Sequence, residues 1–411
     1  MATPSSIKEV VENGLCIGCG LCEALSHGRV SMRMSAVGGL RPQPLEAFSE
    51  VEEQTVLAAC PGAAVATRDE RSAYHDSVWG GYESLLTAWA VDPLVRFTSA
   101  TGGVLTALAQ HLLEQDEIAF VLHVGADAER PLRNRWVMSE TKEDVMAFNG
   151  SRYAPVAPLA GLAVALEREE PFAIVAKPCD LNAVAGLAKY DQRVDALCRF
   201  RLALVCGGQS RLSKTLDLLE RFDVPADAVK EVRYRGNGNP GPTRVTTHEG
   251  IDHCVSYNDL WADESSWNLE SRCTICPDAL GEAADCAALD IWPGGGPTGE
   301  DEGFNGLVVR SSRGAKLLQS AFDHKALDQG APLTIDELND CQPHQVRKKY
   351  ALRARLRALE EAGKPVPDTT GLRLTVLSKY LSPAQRDEVK QGTRVRIRRG
   401  RFTERVKNVD P

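Results

Sequence analysis

The chain has 411 residues, of which 43% are hydrophobic and 25% are charged, and its formal net charge is −8 at pH 7. This length and composition predict two or three globular domains with substantial cores and exclude a largely disordered chain. The negative charge argues against a globally basic nucleic-acid-binding protein. The sequence also lacks an apolar run of about 18 residues and a basic, apolar leader, so we expect a cytoplasmic protein with no transmembrane segment.

Four of the twelve cysteines lie near the N terminus in the order and local spacing of a bacterial ferredoxin site. Two residues separate Cys16 from Cys19 and Cys19 from Cys22, and Cys60 follows later, directly before Pro61. These gaps let three thiolates converge from one loop, while the fourth arrives from elsewhere. Zinc ligation and disulfides are the alternatives, but zinc ligands usually form two separated pairs and disulfides are rare in reducing compartments. We therefore expect one 4Fe-4S cluster in this part of the chain.

The predicted elements beyond this point alternate between helices and strands. Helix formers predict helices, and continuous apolar, partly β-branched runs predict buried strands. The predicted elements are helix 50–59, helix 104–114, strand 118–124, strand 171–176, strand 201–205, helix 211–222 and strand 244–247. The aromatic stretch 72–92 is expected to pack between modules, and His123 to be a structural residue. Beyond about residue 330 the chain is expected to be helical, although the basic segment 394–401 alternates charged and apolar residues as an edge strand does.

Two of the predicted strands end at cysteines. Strand 171–176 is followed by Lys177-Pro178-Cys179, and strand 201–205 by Cys206. Because chemistry in open α/β sheets collects at the carboxyl ends of strands, we expect these two cysteines to share a site. A CxxC pair, Cys273 and Cys276, would complete the ligand set of a second 4Fe-4S cluster. From spacing alone, a zinc site and inert buried cysteines stay open as alternatives.

Several short segments occur in a characteristic order between about residues 8 and 325. They are Thr98-Ser-Ala-Thr-Gly-Gly103, Asn149-Gly-Ser-Arg-Tyr153, Lys177-Pro-Cys-Asp180, Arg233-Tyr-Arg-Gly-Asn-Gly-Asn-Pro-Gly241 and Cys273-Thr-Ile-Cys-Pro-Asp278, with Glu282-Ala-Ala-Asp285 after the last. As an ordered set they resemble the family of coenzyme F420 hydrogenase/dehydrogenase beta subunits, which includes the 7-hydroxymethyl chlorophyll a reductases. The sequence departs from the family pattern where Thr101 replaces a serine, Arg152 a lysine and Leu289 a glycine. The first two departures keep the hydroxyl group and the charge.

The resemblance implies an FAD-containing iron–sulfur flavoprotein, and it supports ligation of the second cluster by Cys179, Cys206, Cys273 and Cys276. The residues that it implies for FAD binding are Ser99, Thr101, Gly102, Gly103, Ser151, Arg152, Tyr153, Lys177 and Arg235. A Gly-Gly helix start offers free N–H groups and a positive dipole end to the diphosphate, and hydroxyl and cationic side chains add contacts. Taken singly, each has an ordinary alternative as a turn glycine, a surface serine or a salt-bridged arginine. The other cysteines, which are Cys198, Cys254, Cys286 and Cys341, are expected to be small buried apolar side chains.

We therefore expect an α+β chain in which an N-terminal ferredoxin-like iron–sulfur module is followed by mixed α/β flavin-binding domains. The expected 4Fe-4S module spans residues 1–70, and the family's FAD-binding N-terminal domain spans 71–165. Its C-terminal domain, with the second 4Fe-4S site and the flavin or substrate pocket, is expected over 166–330. A charged helical and basic extension is expected over 331–411.

The expected function is that of an FAD- and iron–sulfur-dependent oxidoreductase that passes hydride or electrons between flavin, two 4Fe-4S clusters and coenzyme F420 or another organic partner. One alternative is a ferredoxin-dependent reductase of a specific organic substrate, similar to 7-hydroxymethyl chlorophyll a reductase. Another is an electron-transfer subunit of a larger hydrogenase or dehydrogenase complex, and a third is a zinc-stabilised binding protein. The expected partners are ferredoxin or coenzyme F420 as carrier and a dehydrogenase or hydrogenase subunit, with a homo-oligomer left open. No motif identifies a catalytic acid.

Overall fold

One large mixed sheet organises the chain, which a computed structural model describes over residues 2–66 and 72–405. The strands are β1 (Val30–Met34), β2 (Leu40–Pro44), β3 (Tyr74–Asp76), β4 (Gly80–Tyr82), β5 (Ser84–Ala90), β6 (Phe120–Ala126), β7 (Asn134–Ser139), β8 (Phe172–Ala176), β9 (Cys198–Leu204), β10 (Val229–Arg233), β11 (Thr243–Thr247), β12 (Asp252–Val255), β13 (Cys286–Asp290), β14 (Asn305–Val309) and β15 (Leu327–Pro332). The strands predicted from apolar runs are confirmed as β6, β8 and β9, and the predicted strand 244–247 as β11. The expected mixed α/β architecture is likewise confirmed.

Helices cover both faces of this sheet and make up most of the C-terminal part. They are α1 (Ile7–Glu12), α2 (Leu21–Ala24), α3 (Glu50–Ala59), α4 (Pro93–Thr98), α5 (Val104–Glu114), α6 (Lys142–Ala147), α7 (Leu162–Glu167), α8 (Pro178–Leu187), α9 (Gln192–Leu197), α10 (Leu212–Phe222), α11 (Tyr257–Trp261), α12 (Ser312–Asp323), α13 (Ile335–Cys341), α14 (Pro343–Glu360), α15 (Leu374–Leu377) and α16 (Pro383–Arg398). The three helices predicted from helix formers are confirmed as α3, α5 and α10. In α3 a capping box between Ser49 and Glu52 fixes the first turn, because each side chain accepts a backbone N–H of the other residue.

The sheet has eight strands in the order β15-β5-β14-β13-β9-β8-β6-β7. The neighbours β6, β8, β9 and β13 run parallel, and the other pairings are antiparallel. The carboxyl ends of β8, β9 and β13 therefore meet at one edge of the sheet, as expected for a site there. Strands from both of the expected domains, 71–165 and 166–330, contribute to this one sheet, and the boundary between them stays a prediction.

The sheet separates two hydrophobic cores, because alternate residues of a strand point to opposite faces. Phe120 of β6 belongs to a core that also contains Leu15 of the N-terminal module and Leu352 of α14. Val121, the next residue, belongs to the other core, together with Leu108 of α5. The N-terminal module and the C-terminal helices thus cover the same face of the sheet. The ferredoxin-like character of the module stays a prediction.

The C-terminal part is helical, as expected, and the segment 394–401, whose alternation is also typical of an edge strand, lies mostly in a helix. Helix α16 continues to Arg398, and its first turn has Pro383 at an initial position and a capping box between Ser382 and Gln385. Ile397 packs against the core that contains Phe120, while Arg396 and Arg398 are exposed. The alternation in the sequence therefore arises because Ile397 faces the core and its two neighbours on the helix face solvent. Five alternating residues are too few to distinguish a strand from such a turn.

Several single residues test the remaining expectations. His123 is buried, its Nε2 lies 2.7 Å from Ser139 Oγ, and burial lowers its pKa to about 4, which confirms a neutral structural residue. Trp79 is fully buried and donates to Asn339 Oδ1 of α13, so this part of the aromatic stretch joins two segments, whereas Tyr74 is exposed.

The described residues contain no helix with the length and apolar character that a membrane span requires.

The four cysteines expected to be buried apolar side chains do not all behave alike. Cys198, Cys286 and Cys341 are buried, as expected. Cys254 is exposed, so that expectation is wrong for this residue. It lies on β12, the last strand of the small sheet β10-β11-β12, where one face of an edge strand is open to solvent.

A buried carboxylate attaches the C-terminal helices to the sheet. Glu282, which lies just before β13, is 6% exposed and pairs with Lys349 of α14 and with Arg373. Burial alone would raise the pKa of Glu282, but the positive charges of Lys349, Arg373 and Arg310 lower it to about 2. The charged form is therefore strongly favoured in the folded protein.

This depressed pKa predicts a specific loss of stability in acid. Because the ordinary value is 4.5 and the folded value about 2, ionised Glu282 contributes about 3 kcal/mol above pH 5, and this contribution disappears as the pH falls toward 2. We expect Glu282→Gln to destabilise the protein most near pH 6 and progressively less at lower pH, measured by urea unfolding of both proteins from pH 6 to pH 3. Substitution of the exposed Glu388 by Gln serves as the control and should change stability little at every pH. A difference between wild type and Glu282→Gln that stays constant with pH would contradict this prediction.

Candidate functional site

The first cysteine set lies on the loop between α1 and α2, in α2 and at the end of α3. Cys16 and Cys19 lie on the loop, Cys22 is in the first turn of α2, and Cys60 is the C-terminal cap of α3. The loop passes close to its neighbours at Gly18, which has φ +70° and where a Cβ atom would lie 2.8 Å from the carbonyl oxygen of Leu40. Glycine is therefore required there. The N–H of Gly18 donates to Cys16 Sγ at 3.4 Å, which supplies a backbone donor to this sulfur.

Burial dominates the electrostatics of these four thiols. It raises the pKa of Cys16 to about 12, and it also raises the pKa of Cys19, Cys22 and Cys60. The negative charge that Cys60 would carry as a thiolate further raises the pKa of Cys16, Cys19 and Cys22, so these side chains are close to one another. Four thiolates form together in such surroundings only when a bound cation compensates their charge.

The second set lines one cavity at the carboxyl edge of the large sheet. Cys179 lies in the first turn of α8, directly after β8, and Cys206 lies two residues beyond β9. Cys273 and Cys276 come from the short 3-10 helix Ser271–Ile275 and the residue after it. The structure thus brings together the four residues that the sequence and the family resemblance predict. Burial raises the pKa of Cys206 to about 12, so these thiols also need a cation to ionise.

Polar side chains border the same cavity. Lys177 lines it and pairs with the buried Asp180 at 2.7 Å, and Lys348 of α14 lines it from the opposite segment of the chain. The backbone N–H of Gln209 donates to Cys273 Sγ at 3.3 Å. Both polar atoms of the Gln209 side chain are buried and have no hydrogen-bond partner among the described residues. Such orphaned groups are rare in proteins and indicate a missing partner.

Neither set has the geometry of a single-ion site. Within residues 2–66 and 72–405, no group of three or more His, Cys, Asp or Glu side chains is arranged to hold one metal ion. A cubane cluster makes a different demand, because each of its four thiolates binds a different iron atom.

Some of the residues implied for FAD binding meet at the start of α5. Gly103 is the N-terminal cap of this helix, and Thr101 Oγ1 is hydrogen-bonded to a carboxylate oxygen of Asp290, at the end of β13. Arg235 pairs with the same carboxylate at 3.0 Å and donates to the carbonyl oxygen of Ala100 at 2.6 Å. Gly102 lies between Thr101 and the helix cap, and Ser99 Oγ is 3.4 Å from Thr106 Oγ1.

Arg235 is the most constrained residue of this group. It is 3% exposed, and its guanidinium lies 5.0 Å from the ring centre of Tyr257 and 4.9 Å from that of Trp292. Its Nε has no hydrogen-bond partner among the described residues, and the same holds for Nε of the nearby Arg233. Arg233, the last residue of β10, binds the carbonyl oxygen of Thr98 and so approaches the same segment. Two guanidinium groups with buried, unused Nε donors are suited to an anionic ligand.

The other residues implied for FAD binding lie elsewhere. Arg152 donates to Asn134 Oδ1 and to the carbonyl oxygen of Val232, both at 2.8 Å. These hydrogen bonds connect β7 with β10. Tyr153 packs on Trp261 with ring centres 4.5 Å apart, and Ser151 is partly buried beside it in sequence. Lys177 belongs to the cysteine cavity. Tyr153 also packs on Tyr234, the residue before Arg235, with ring centres 5.6 Å apart, so it lies next to the group around Thr101. The contacts described for Arg152 and Lys177 lead to other parts of the structure, and a role of these residues in FAD binding stays a prediction.

The sequence interpretation missed the aromatic partners Tyr257 and Trp292, and it did not predict which charged and polar side chains meet. Asn149 and Arg233 belong to the segments that carry the family resemblance, and in the structure Asn149 Oδ1 accepts from Arg233 at 3.0 Å, while Arg235 contacts Asp290, Tyr257 and Trp292. The end of a buried strand at Asp290 was the one available signal, since such ends carry functional side chains. The aromatic residues stand in segments without periodicity that would have singled them out.

Comparison with known proteins identifies relatives over most of the described chain. The model for the N-terminal part of the coenzyme F420 hydrogenase/dehydrogenase beta subunit matches residues 85–163, and the model for its C-terminal part matches residues 169–332. The F420-dependent formate dehydrogenase 1 subunit beta of Methanococcus maripaludis is 26% identical over 238 residues, 56% of this chain and 57% of that protein. A subunit of the F(420)H(2) dehydrogenase of Methanosarcina mazei is 23% identical over 332 residues, 78% of this chain and 86% of that protein. This chain thus spans just over half of the length of the first relative.

A solved structure has the same fold. A chain of the F420-reducing NiFe hydrogenase complex from Methanosarcina barkeri superposes with a TM-score of 0.56 and 17% identity, over 72% of this chain and 99% of that chain. At this identity the similarity concerns the fold alone.

A buried ion network connects the two cysteine sets. Arg41 of β2 pairs with Glu270 at 2.7 Å and with Glu404 at 2.8 Å, and all three side chains are at most 4% exposed. Glu270 directly precedes the 3-10 helix that carries Cys273, and it also pairs with Arg211 at 3.2 Å. Two arginines and two glutamates thus balance their charges. The network fixes the first module, the second cysteine loop and the C-terminal segment against one another.

Removal of Arg41 should destabilise the protein strongly. Arg41→Met leaves Glu270 and Glu404 buried with incomplete compensation, and breaking a buried pair in this way costs about 3–5 kcal/mol. We expect a lower urea midpoint for the anaerobically prepared variant. In the same module Arg29 pairs with Glu52 at the surface, and Arg29→Met should lower the midpoint much less. Equal losses for the two variants would show that the Arg41 network does not hold the cysteine loops together.

Proposed function

Because this chain belongs to the family of coenzyme F420 hydrogenase/dehydrogenase beta subunits, we propose that it is an FAD- and iron–sulfur-dependent oxidoreductase. In this proposal, it passes hydride or electrons between flavin, two 4Fe-4S clusters and coenzyme F420 or another organic partner. The observation that carries the proposal is the convergence of Cys179, Cys206, Cys273 and Cys276 on one cavity from three separate segments. The named functions of the relatives, which are F420-dependent dehydrogenase subunits, favour F420 as the carrier.

The eight cysteines of the two sets fit iron–sulfur clusters. Clusters would supply one-electron transfer at these positions. The buried thiols would provide four ligands in each set, and the N–H groups of Gly18 and Gln209 would donate to sulfur and stabilise negative charge there. Zinc, the earlier alternative, binds several thiolates on one ion, and neither set shows that arrangement within the described residues.

The segment around Thr101 fits the diphosphate of FAD. A bound flavin would supply the conversion between two-electron and one-electron steps. The unused Nε donors of Arg233 and Arg235 would bind phosphate oxygens, and the cap of α5 would add backbone N–H groups. Before an anion binds, Asp290 already holds Arg235 in position. The guanidinium group therefore does not need to reorganise when the anion binds.

A basic surface next to the second cysteine set supports the alternative of a relay between protein carriers. Arg396, Arg398 and Arg399 are exposed at the end of α16. Burial and the nearby Arg396 lower the pKa of Arg355 to about 10, and Arg355 donates at 2.6 Å to the carbonyl oxygen of Thr274, between Cys273 and Cys276. In a chain with net charge −8, this local positive charge favours an acidic electron carrier such as ferredoxin.

Metal and flavin analysis of cysteine variants tests the proposal. Anaerobically purified protein should contain about eight iron and eight sulfide per chain, together with FAD, because each cluster holds four of each. We expect Cys19→Ala and Cys276→Ala each to lose about half of the iron and to retain flavin. The buried Cys198, which lies outside both sets, provides the control, and Cys198→Ala should retain all the iron. A colourless protein with zinc and no flavin would instead support the binding-protein alternative.

The carrier can be identified by reduction of the bound flavin. We expect reduced F420 to bleach the flavin of the isolated chain, and the triple variant Arg396→Ser, Arg398→Ser and Arg399→Ser to be reduced at the same rate. Reduction by ferredoxin should slow about tenfold in the triple variant at low salt and much less at high salt, since salt screens surface charges. Rapid absorbance measurements give both rates. Bleaching by ferredoxin alone would favour the ferredoxin-dependent reductase, and a need for a co-purifying subunit would favour the relay.

A further inference from the structure

One face of α14 contacts the loops that carry the second cysteine set. Gln345 Nε2 donates to the carbonyl oxygen of Cys206 at 3.4 Å, and Lys348 Nζ to that of Gly207 at 2.6 Å. Arg355 reaches the carbonyl oxygen of Thr274 at 2.6 Å. The spacings of three and seven residues place these side chains on one helical face. Helix α14 begins at Pro343, beyond residue 332, where the match to the family ends.

Lys348 brings a positive charge to the cavity and has no carboxylate in salt-bridge contact among the described residues. It is 6% exposed and lines the cavity together with all four cysteines of the second set. The other lysine of the cavity, Lys177, is paired with Asp180 at 2.7 Å, and the adjacent Lys349 is paired with Glu282. Lys348 instead donates to the neutral carbonyl group of Gly207. The pKa of Glu264 is lowered chiefly by its hydrogen bond with His344 and to a smaller extent by the charge of Lys348, but the direct partners of Glu264 are His344 and Arg347.

We propose that Lys348 is a positioning residue that raises the reduction potential of the second cluster, an inference that rests on the proposed 4Fe-4S site at Cys179, Cys206, Cys273 and Cys276. Reduction adds one negative charge to a cluster, and a nearby buried cation stabilises that charge. The effect is large because the charge of Lys348 is shielded from water and is not cancelled by a partner.

The buried cations near the first cysteine set, Arg41 and Arg272, differ from Lys348 in their partners and in their position relative to the two sets. Arg41 belongs to the network in which two arginines and two glutamates balance their charges. Arg272 donates to the carbonyl oxygens of Pro61 and Ile275, so it lies between the two sets and its charge acts on both. The charge on Lys348 thus distinguishes the second cluster from the first. Since α14 lies outside the segment matched by the family, this setting of the potential is a property of the C-terminal extension.

A redox titration of the anaerobically purified full chain, followed by electron paramagnetic resonance, tests this role. Lys348→Gln retains a donor for Gly207 and removes the charge. We expect it to shift one of the two cluster midpoint potentials to a more negative value and to leave the other in place, with iron and sulfide unchanged. Lys348→Arg should restore the midpoint. Arg347→Gln is the matched control, because it removes a positive charge from the adjacent, exposed position of the same helix, and it should shift neither midpoint.

The outcomes separate this inference from the proposed function. Unchanged midpoints in Lys348→Gln, with both clusters present, would overturn the role of Lys348 and leave the proposed function intact. Loss of iron from Lys348→Gln would also overturn it, since the residue would then hold the loop and not set the potential. A wild-type protein with the iron of only one cluster would reject the second cluster and the inference with it.

Discussion

The parallel pairing of β8, β9 and β13 is the constraint on which the site depends. Parallel strands present their carboxyl ends at the same edge of a sheet, so Cys179 and Cys206 lie side by side and Asp290 lies on the next strand. The register of these strands is strongly specified, because they are buried on both faces and a shift by one residue would move each side chain into the opposite core. Cys179 and Cys206, which are 27 residues apart, therefore meet without any local sequence motif that joins them.

Buried charge is the second theme of the structure, and oppositely charged side chains compensate it in two places. Arg41 is balanced by two glutamates, and Glu282 by Lys349 and Arg373. Uncompensated burial of either group would cost several kcal/mol, so the pairs hold their segments in place even though they add little net stability over apolar packing. Other buried cations have only neutral hydrogen-bond acceptors. Lys348 donates to the carbonyl oxygen of Gly207 at the cysteine cavity, and away from the candidate sites Lys214 donates to the carbonyl oxygen of Leu260 and Arg310 to that of Leu280. Arg235 is paired with Asp290, but its Nε and that of Arg233 have no hydrogen-bond partner among the described residues.

The sequence predicts those features whose signals are local. Apolar runs predict β6, β8 and β9, helix formers predict α3, α5 and α10, and the CxxC spacings predict which cysteines belong together. The contacts of Asp290 with Arg235 and of Lys348 with Gly207 join residues 55 and 141 positions apart, and no periodicity encodes such distances. The wrong expectation of a buried Cys254 and the ambiguous alternation at 394–401 have the same origin. In both cases, a short sequence does not reveal which side of the element packs against the core.

The two cysteine sets are also joined directly through the backbone. Arg272 donates to the carbonyl oxygen of Pro61 from both Nε and Nη2, at 3.2 and 2.6 Å. Pro61 follows Cys60, and Arg272 precedes Cys273, so a single side-chain contact separates a cysteine of the first set from one of the second. Under the proposed function this contact would lie between the two clusters. The Arg41 network joins β2 of the first module to the residue Glu270 in front of the second cysteine loop, so two separate contacts restrain this loop against the first module. A rigid separation of this kind suits electron transfer, for which the clusters must keep their places while the carriers exchange.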